Sequence, residues 1–178
     1  LEVVEDRYNR QELIEGWDQE RLGSARVAII GAGQLANYTA VALTALGVGS
    51  IEIYDNSKLN GEHEFLLFKC KEGESKARGL ETMLREINPS AHVKGMNLSL
   101  ERNPTISILG QPDVIIDTTN SPDSKRAVLD YAHYGFIPVV SVSTDTTSGQ
   151  IYVLHPFERT KLGKLENYSG KTQGSAIS

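Results

Sequence analysis

Short apolar runs alternate with amphipathic stretches along most of this chain. The clearest run, 27–30, is apolar throughout and is followed by glycine, which is typical of a parallel strand buried on both faces. Apolar residues at helical spacing follow over 34–46, 75–87 and 124–134. The alternation predicts an α/β fold with a doubly wound, mostly parallel, Rossmann-like sheet and right-handed crossovers.

The rest of the chain completes this picture. A charged stretch at 7–22 predicts short helices across a domain face, and the sequence predicts one domain at 7–156 with a polar tail or truncated remainder at 157–178. In the predicted helix 34–46, the spaced apolar residues are Leu35, Tyr38, Val41, Ala42 and Ala45. Further strands are predicted at 51–54, 92–97, 113–116, 137–143 and, as an added antiparallel strand, 149–154.

Composition narrows the possible partners and compartment. A net charge of −5 and a pI near 5.4 argue against nucleic acid and anionic membranes as partners. The sequence shows no signal-peptide pattern and no apolar run of the length a membrane helix needs, so we expect a cytoplasmic protein. Cys70 is the one cysteine, which excludes an internal disulfide and a cysteine-based zinc cluster. The lysines on either side of Cys70 could make it reactive, but an ordinary thiol is the favoured interpretation.

A glycine-rich loop follows the first strand. Gly31 permits a tight turn, Gly33 permits close approach of the backbone to a phosphate, and Ala36 takes the place of a third glycine. Asp55 ends the second strand 22 residues after Gly33, where a carboxylate can accept hydrogen bonds from both ribose hydroxyls. The pattern predicts a nucleotide-binding fold without naming the nucleotide. The alternative is that the glycines only permit the turn.

Several separate motifs occur between Arg7 and about Pro156. They are RYNRQ at 7–11, RVAIIGAG at 26–33, LGVGSIEIYDN at 46–56, ESKA at 74–77, REINP at 85–89, DVIIDTTN at 113–120, IPVVS at 137–141 and SGQIYV at 148–153. In sequence and in order they resemble the motifs of the ThiF/MoeB/HesA and ubiquitin-activating-enzyme family. The resemblance implies a ThiF-type nucleotide-binding domain.

The resemblance implies ATP- and Mg²⁺-dependent adenylation of the carboxyl-terminal glycine of a ubiquitin-like or sulfur-carrier protein. It implies that Asp55 holds the ribose, that Lys76 pairs with phosphate oxygens, and that the position of Asn120 belongs to a magnesium-binding acid. Arg10 resembles the family arginine that reaches into the neighbouring subunit's site and offsets phosphate charge. The alternative for Lys76 and Arg10 is an ordinary solvated surface role.

Three departures from the family pattern affect the ATP site. His63 stands at an asparagine position, and Leu66 and Leu67 replace an Arg-Gln pair; leucine cannot replace an arginine that clamps phosphate. Asn120 replaces the acid, and a neutral amide is a weaker ligand for Mg²⁺ than a carboxylate. Gln34 replaces a small loop glycine, so its side chain lies beside the phosphates or blocks them. The resemblance as a whole implies the following site residues. Nucleotide binding is assigned to Gly31, Gly33, Gln34, Asp55, Lys76 and Asn120, catalysis to Arg10 and Lys76, and metal binding to no residue.

With these departures, the chain resembles the non-catalytic subunit of the heterodimeric activating enzymes for ubiquitin-like modifiers. The leading hypothesis is a partner subunit with a degraded ATP site that supplies Arg10 across a homodimer or heterodimer interface. The first alternative is an active homodimeric adenylyltransferase in which Asp117, Asp123, or Glu62 with His63 does the metal and phosphate work. Others are an NAD- or FAD-binding oxidoreductase or sensor, and a purely structural interaction module. For the oxidoreductase, His133 and Tyr134 are interpreted as packing or surface residues rather than proton donors.

Overall fold

A computed structural model describes residues 7–60, 70–100, 109–145 and 147–155. The predicted tail at 157–178 and the predicted departures at 63, 66 and 67 lie outside these ranges. Within them, the helices are α1 (Gln19–Ser24), α2 (Gln34–Leu46), α3 (Lys76–Ile87) and α4 (Pro122–Gly135), and the strands are β1 (Arg26–Ile30), β2 (Ser50–Tyr54), β3 (His92–Met96), β4 (Val114–Asp117), β5 (Val139–Thr144) and β6 (Gly149–Leu154).

The six strands form one sheet in the order β3-β2-β1-β4-β5-β6. β1 to β5 pair in parallel, and β6 pairs antiparallel with β5. The doubly wound, mostly parallel sheet with an added antiparallel strand is therefore confirmed. Because the strand order reverses between β1 and β4, ligands are expected beyond the carboxyl ends of these strands.

The sheet is packed on both faces. α2 and α3 cover one face through a core that includes Ile29, Ile51 and Leu80, all fully buried. α4 covers the other face through a second core that includes Ile115 and Val128. Burial on both faces explains why β1 is so uniformly apolar.

α2 begins and ends where the sequence predicts, but a different face of the helix is buried. The buried residues are Ala36, Asn37, Ala40 and Thr44. Val41 of the predicted face packs partly buried against the core, while Tyr38 is 57% exposed. Small side chains occupy this face because the helix that follows the glycine loop lies very close to β1, which leaves no room for a larger residue. Hydrophobic spacing therefore located the helix but misplaced its face.

The amino-terminal segment forms turns at 7–16, and α1 is its single regular helix among the described residues. Tyr8 fixes this segment to the far ends of α2 and α3. Its ring lies against Gly47, where an added Cβ would be 2.6 Å from the Tyr8 Cζ. Its hydroxyl accepts a hydrogen bond from Asn88 Nδ2 at 2.8 Å. The segment thus packs at the amino edge of the sheet. No helix in the described ranges is long and apolar enough to cross a membrane.

Candidate nucleotide-binding site

The turn after β1 requires glycine at one position. Gly31 has φ +98°, a conformation that side-chain-bearing residues rarely adopt. An added Cβ would lie 2.7 Å from Thr118 Oγ1, and that hydroxyl is held by its bond to the Ile30 carbonyl at 2.8 Å. Gly31 is therefore fixed by the fold itself, whatever binds beside it.

Gly33 differs, because the fold does not require glycine there. It caps α2 with φ −76° and ψ −171°, which any residue adopts, and an added Cβ would lie within 4 Å of no described residue. Among the described residues, nothing is packed against Gly33 at the start of the helix. A close-approaching ligand gives this glycine a physical reason that packing does not.

The amino terminus of α2 offers backbone N–H groups to that space. The first helical bond there runs from Asn37 N to the Gly33 carbonyl at 3.0 Å, so the N–H groups before Asn37 have no acceptor within the helix. Among the described residues, side chains cap α1 and α4, through Asp18 and Ser121, but no side chain caps α2 or α3. Such a helix end, with its positive partial charge, is suited to an anion.

Asp55 is bound to the loop from the end of β2. Its Oδ2 accepts from Ala32 N at 2.7 Å, and its Oδ1 accepts from Ser57 N at 2.6 Å and from the Ser57 hydroxyl. A carboxylate has about four acceptor positions. With three in use, one remains for a ribose hydroxyl, whereas the sequence predicts contacts to both hydroxyls.

Lys76 lies next to this turn. Its backbone N–H donates to the Ser57 carbonyl at 3.2 Å, and Lys58 forms a β-bridge with Ser75. The start of α3 is thereby joined to Asp55 through Ser57. The structure thus brings Gly31, Gly33, Asp55 and Lys76 together at one edge of the sheet, together with Gln34, which is exposed at the first position of α2.

Asn37 lies beneath the loop and was not identified from the sequence. It is 1% exposed, and its Nδ2 donates to the carbonyls of Gly33 at 2.9 Å and Ala32 at 3.4 Å. Its Oδ1 is buried with no hydrogen-bond partner. A polar residue inside a helix carries no sequence signal of its own. Its position four residues after Gly33 is the one available clue.

The turn after β4 contains the position where the family resemblance implies a metal-binding acid. Asn120 is exposed there. Asp117, which ends β4 and is 1% exposed, accepts from Thr119 N and Oγ1 at 3.0 and 2.7 Å and from Lys125 Nζ and Ser141 Oγ, both at 2.7 Å. All of its acceptor positions are used by the protein.

This arrangement does not fit a magnesium centre. Mg²⁺ is normally bound through one or two carboxylates, whereas Asp117 is saturated and Asn120 is neutral. The described residues contain no group of three His, Cys, Asp or Glu side chains that could hold a metal. Asp123 is exposed in the first turn of α4. The other suggested ligands, at 62 and 63, lie outside the described ranges.

Arg10 is far from the loop of its own chain. It is exposed, two residues after Tyr8, at the amino edge of the sheet, while the loop lies at the carboxyl edge. α2 joins the two edges with 13 residues, about 20 Å at the rise of an α-helix. Arg10 therefore does not join the residues of its own site.

Three further residues behave as ordinary structural groups. Burial raises the pKa of the Cys70 thiol, with nearby Glu74 adding to the effect, so the reactive thiolate is disfavoured. Tyr134 is 74% exposed and stacks edge-on against His133 with ring centroids 5.6 Å apart, as expected for surface residues.

Comparison with known proteins agrees with this geometry. The family model described as "ThiF family" matches residues 7–174. The chain belongs to the ThiF family. Two curated ThiF relatives are 30–31% identical: "Adenylyltransferase and sulfurtransferase UBA4" of Meyerozyma guilliermondii is 30% identical over 156 residues, and "Adenylyltransferase and sulfurtransferase MOCS3" of Caenorhabditis briggsae is 31% identical over 155.

Each of these alignments covers 84% of this ThiF chain but 37% and 39% of the two relatives, so the chain spans well under half of their length. Among solved structures, E. coli MccB with AMPCPP and MccA has a TM-score of 0.77 at 20% identity, covering 88% of this chain and 50% of MccB. PaaA has a TM-score of 0.73 at 21% identity, covering 86% of this chain and 51% of PaaA. At these identities the likeness establishes the fold.

Proposed function

We propose that this ThiF domain takes part in ATP-dependent activation of a ubiquitin-like modifier or sulfur-carrier protein as a partner subunit with a degraded ATP site. The names of the curated relatives, adenylyltransferases and sulfurtransferases, support the reaction class. The observation that carries the degraded site is the turn after β4. There the acid that remains, Asp117, is committed to four internal hydrogen bonds, and Asn120 offers only a neutral amide.

The position of the amino-terminal segment supports action across a subunit interface. Tyr8 is held at the amino edge of the sheet, so Arg10, two residues later, lies at the edge opposite its own loop. In a homodimer or heterodimer with a related subunit, Arg10 would place its guanidinium near the phosphates of the partner's site, where it offsets developing negative charge. The modifier would be bound by the assembled dimer.

Calorimetry and pyrophosphate exchange test this proposal. We expect no micromolar binding of Mg-ATP to the isolated chain and no exchange of labelled pyrophosphate into ATP. Native mass spectrometry of the protein purified from its source cells should show a second subunit, and Arg10→Ala should lower the adenylation rate of that assembly without dissociating it. Micromolar Mg-ATP binding with exchange by the chain alone would overturn the degraded site.

An active homodimeric adenylyltransferase is the second candidate. The retained loop and Asp55 favour it, because these are the groups that hold a nucleotide in such a fold. Exchange activity in a homodimer, lost in Arg10→Ala and recovered when subunits carrying Arg10→Ala and Asp55→Ala are mixed, would select this candidate.

A further inference from the structure

We infer that Glu81 and Arg85 of α3 close the outer edge of β3 against strand pairing with a second copy of this chain. Among the described residues, β3 is the outermost strand at its end of the sheet. An edge strand offers unpaired backbone groups to which a strand of another chain can bind. At β3, two side chains of α3 occupy such groups. This role goes beyond the proposed function and does not depend on it, because neither a nucleotide nor a modifier takes part.

The backbone groups of β3 that point away from β2 belong to Val93 and Gly95. The N–H of His92 donates to the Gly49 carbonyl at 2.8 Å, so His92 is directed toward β2. In a parallel ladder, every second residue directs both its N–H and its C=O group to the same neighbouring strand. Val93 and Gly95 alternate with the residues that pair with β2, and their backbone groups therefore lie on the outer edge of the sheet.

Glu81 and Arg85 bind these outer groups. Glu81 Oε2 accepts from Gly95 N at 2.7 Å, and Arg85 Nη2 donates to the Val93 carbonyl at 2.8 Å. Arg85 Nη2 also pairs with Glu81 Oε1 at 2.8 Å. In a parallel ladder, one residue of the next strand would bind the same two groups, with its C=O to Gly95 N and its N–H to the Val93 carbonyl. The ion pair thus takes the place of one residue of a further parallel strand.

The close approach of α3 to β3 makes these contacts possible. An added Cβ at Gly95 would collide with the Ala77 carbonyl, so no larger residue fits between the helix and the strand. Glu81 and Arg85 follow Ala77 at intervals of four residues, which places all three along one side of α3. Glutamate four residues before a basic residue is also the favourable order for an ion pair on a helix.

The energetics favour a role at the edge over a role in holding α3 to the sheet. Leu80 and Leu84 of α3 are fully buried in the core beside β3, so the helix is already attached. The side chains of Glu81 and Arg85 are 19% and 54% exposed, and ion pairs in contact with water add little stability. Their distinct effect is to occupy the edge. The exposed Lys94 on β3 acts in the same direction, because lysine on an edge strand disfavours pairing.

Removing both side chains tests this role. Glu81→Ala with Arg85→Ala leaves the net charge unchanged and frees the Val93 carbonyl and Gly95 N. At low protein concentration, hydrogen exchange at Gly95 N–H should be about tenfold faster or more than in the parent, because a hydrogen bond to a charged group is lost. Sedimentation velocity at rising concentration should show a larger species than the parent forms. As that species forms, exchange at Gly95 should slow again, since a second strand then binds this N–H.

Two control variants separate closure of the edge from other effects. Arg78→Ala with Glu86→Ala removes the same two residue types from exposed positions of α3, and it should sediment as the parent does. Glu81→Gln keeps a side-chain oxygen that can accept from Gly95 N, and it should also behave like the parent. Circular dichroism and thermal unfolding verify that each variant is folded.

The inference is overturned if the double variant is folded and sediments like the parent at every concentration, because the pair then only joins α3 to β3. It is also overturned if either control associates as the double variant does, or if a larger species forms while exchange at Gly95 stays fast. If the double variant does not fold, Arg85→Ala alone decides, since this side chain is 54% exposed and its loss frees the Val93 carbonyl. A species larger than the parent's then supports the role at the edge, and unchanged sedimentation overturns it. No nucleotide is present in these measurements, so the proposed function stands or fails separately.

Discussion

The loop after β1 and the turn after β4 lie side by side, since Ile30 pairs with Asp117 across the two strands. Their polar side chains have different hydrogen-bond partners. In the loop, Asn37 and Asp55 bind backbone from beneath and from one side, and the N–H groups of the first turn of α2 have no acceptor within the helix. In the turn, Asp117 binds only protein groups. The loop thus leaves backbone N–H groups without an acceptor in the helix, whereas the acid of the turn is fully committed to internal hydrogen bonds.

The turn after β4 has a clear structural role. The buried pair of Asp117 and Lys125 ties β4, α4 and β5 together, because Lys125 also donates to Ser141 and to the Val142 carbonyl. Loss of either partner alone would leave the other charge buried without its counterion, so the pair stabilises the fold. Nothing comparable protects Asn120, which is exposed, and a change there costs the fold little.

The largest effect is expected from Lys125→Met. The side chain of Asp117 is 1% exposed and that of Lys125 is 14% exposed, so removing the lysine leaves a carboxylate buried without its cation. Breaking a buried pair in this way typically costs about 3–5 kcal/mol. Urea denaturation should show this fall in the free energy of unfolding.

The double variant Asp117→Asn with Lys125→Met is the control for that measurement. It removes both charges and should regain a large part of the loss, because no buried charge is left unpaired. If the single variant loses less than about 1 kcal/mol, the pair is not what holds the turn, and the contrast drawn between the two regions is wrong.

Next in size is the contrast between the two loop glycines. Gly31→Ala forces a side chain into φ +98° and against Thr118 Oγ1, which should cost about 2–3 kcal/mol from the left-handed conformation and the disturbed hydroxyl bond. Gly33→Ala should cost less than about 1 kcal/mol, as for alanine at a helix N-cap. Chemical denaturation of both variants measures the difference. Equal losses would show that Gly33 is a packing glycine, and its role beside a ligand would lose its support.

The fold was largely predictable because it depends on patterns that repeat along the chain. β1 is buried on both faces, so its apolar run is unbroken, and α2 ends at Gly47, which has φ +90°. The site was predictable from the sequence only at positions that require one particular type of residue. Gly31 and Asp55 are of this kind, and the structure places them together.

The remaining features depend on contacts between distant parts of the chain. Asn37, Lys125 and Ser141 are ordinary helix and strand residues until the tertiary fold brings them to the carboxyl edge. The buried face of α2 was missed for a related reason, because close packing on β1 selects Ala36 and Ala40 over the larger apolar residues. Single-sequence hydrophobicity does not report how near two elements approach.

Two buried tyrosines, one beside the loop and one on α4, make the stability of the fold depend on pH in the alkaline range. Burial raises the pKa of Tyr54, beside the loop, and Glu52 adds to the effect; burial likewise raises the pKa of Tyr131, on α4. Both pKa values are higher in the folded than in the unfolded chain, so their stabilising contribution is complete below the unfolded value of 10.0 and is lost as the pH rises above it. Each tyrosine should lower the free energy of unfolding by up to about 1.4 kcal/mol per pH unit there.

Unfolding measured from pH 9 to 11.5 checks this expectation. Tyr54→Phe and Tyr131→Phe should each remove part of the slope, with Tyr54→Phe removing more because its pKa is shifted further. If neither substitution changes this slope, other groups cause the loss of stability at alkaline pH and neither tyrosine contributes to it.

The smallest effect, and the sharpest test of the comparison, is expected from Asn120→Asp. The side chain is exposed, so stability should change by no more than about 0.5 kcal/mol. If the lost acid is what separates the turn from the loop, restoring it should give nucleotide binding a dependence on Mg²⁺ that the parent lacks. The gain in ATP affinity should stay within about tenfold, or 1.4 kcal/mol. One exposed carboxylate does not release Asp117 from its internal hydrogen bonds, and it does not replace the arginine that the family pattern places at Leu66. Calorimetry with ATP, in EDTA and in Mg²⁺, measures it. A new carboxylate beside a pocket that can hold Mg²⁺ should make ATP binding depend on the metal. If the variant binds ATP equally in both buffers, the missing acid at position 120 is not what prevents Mg²⁺ binding.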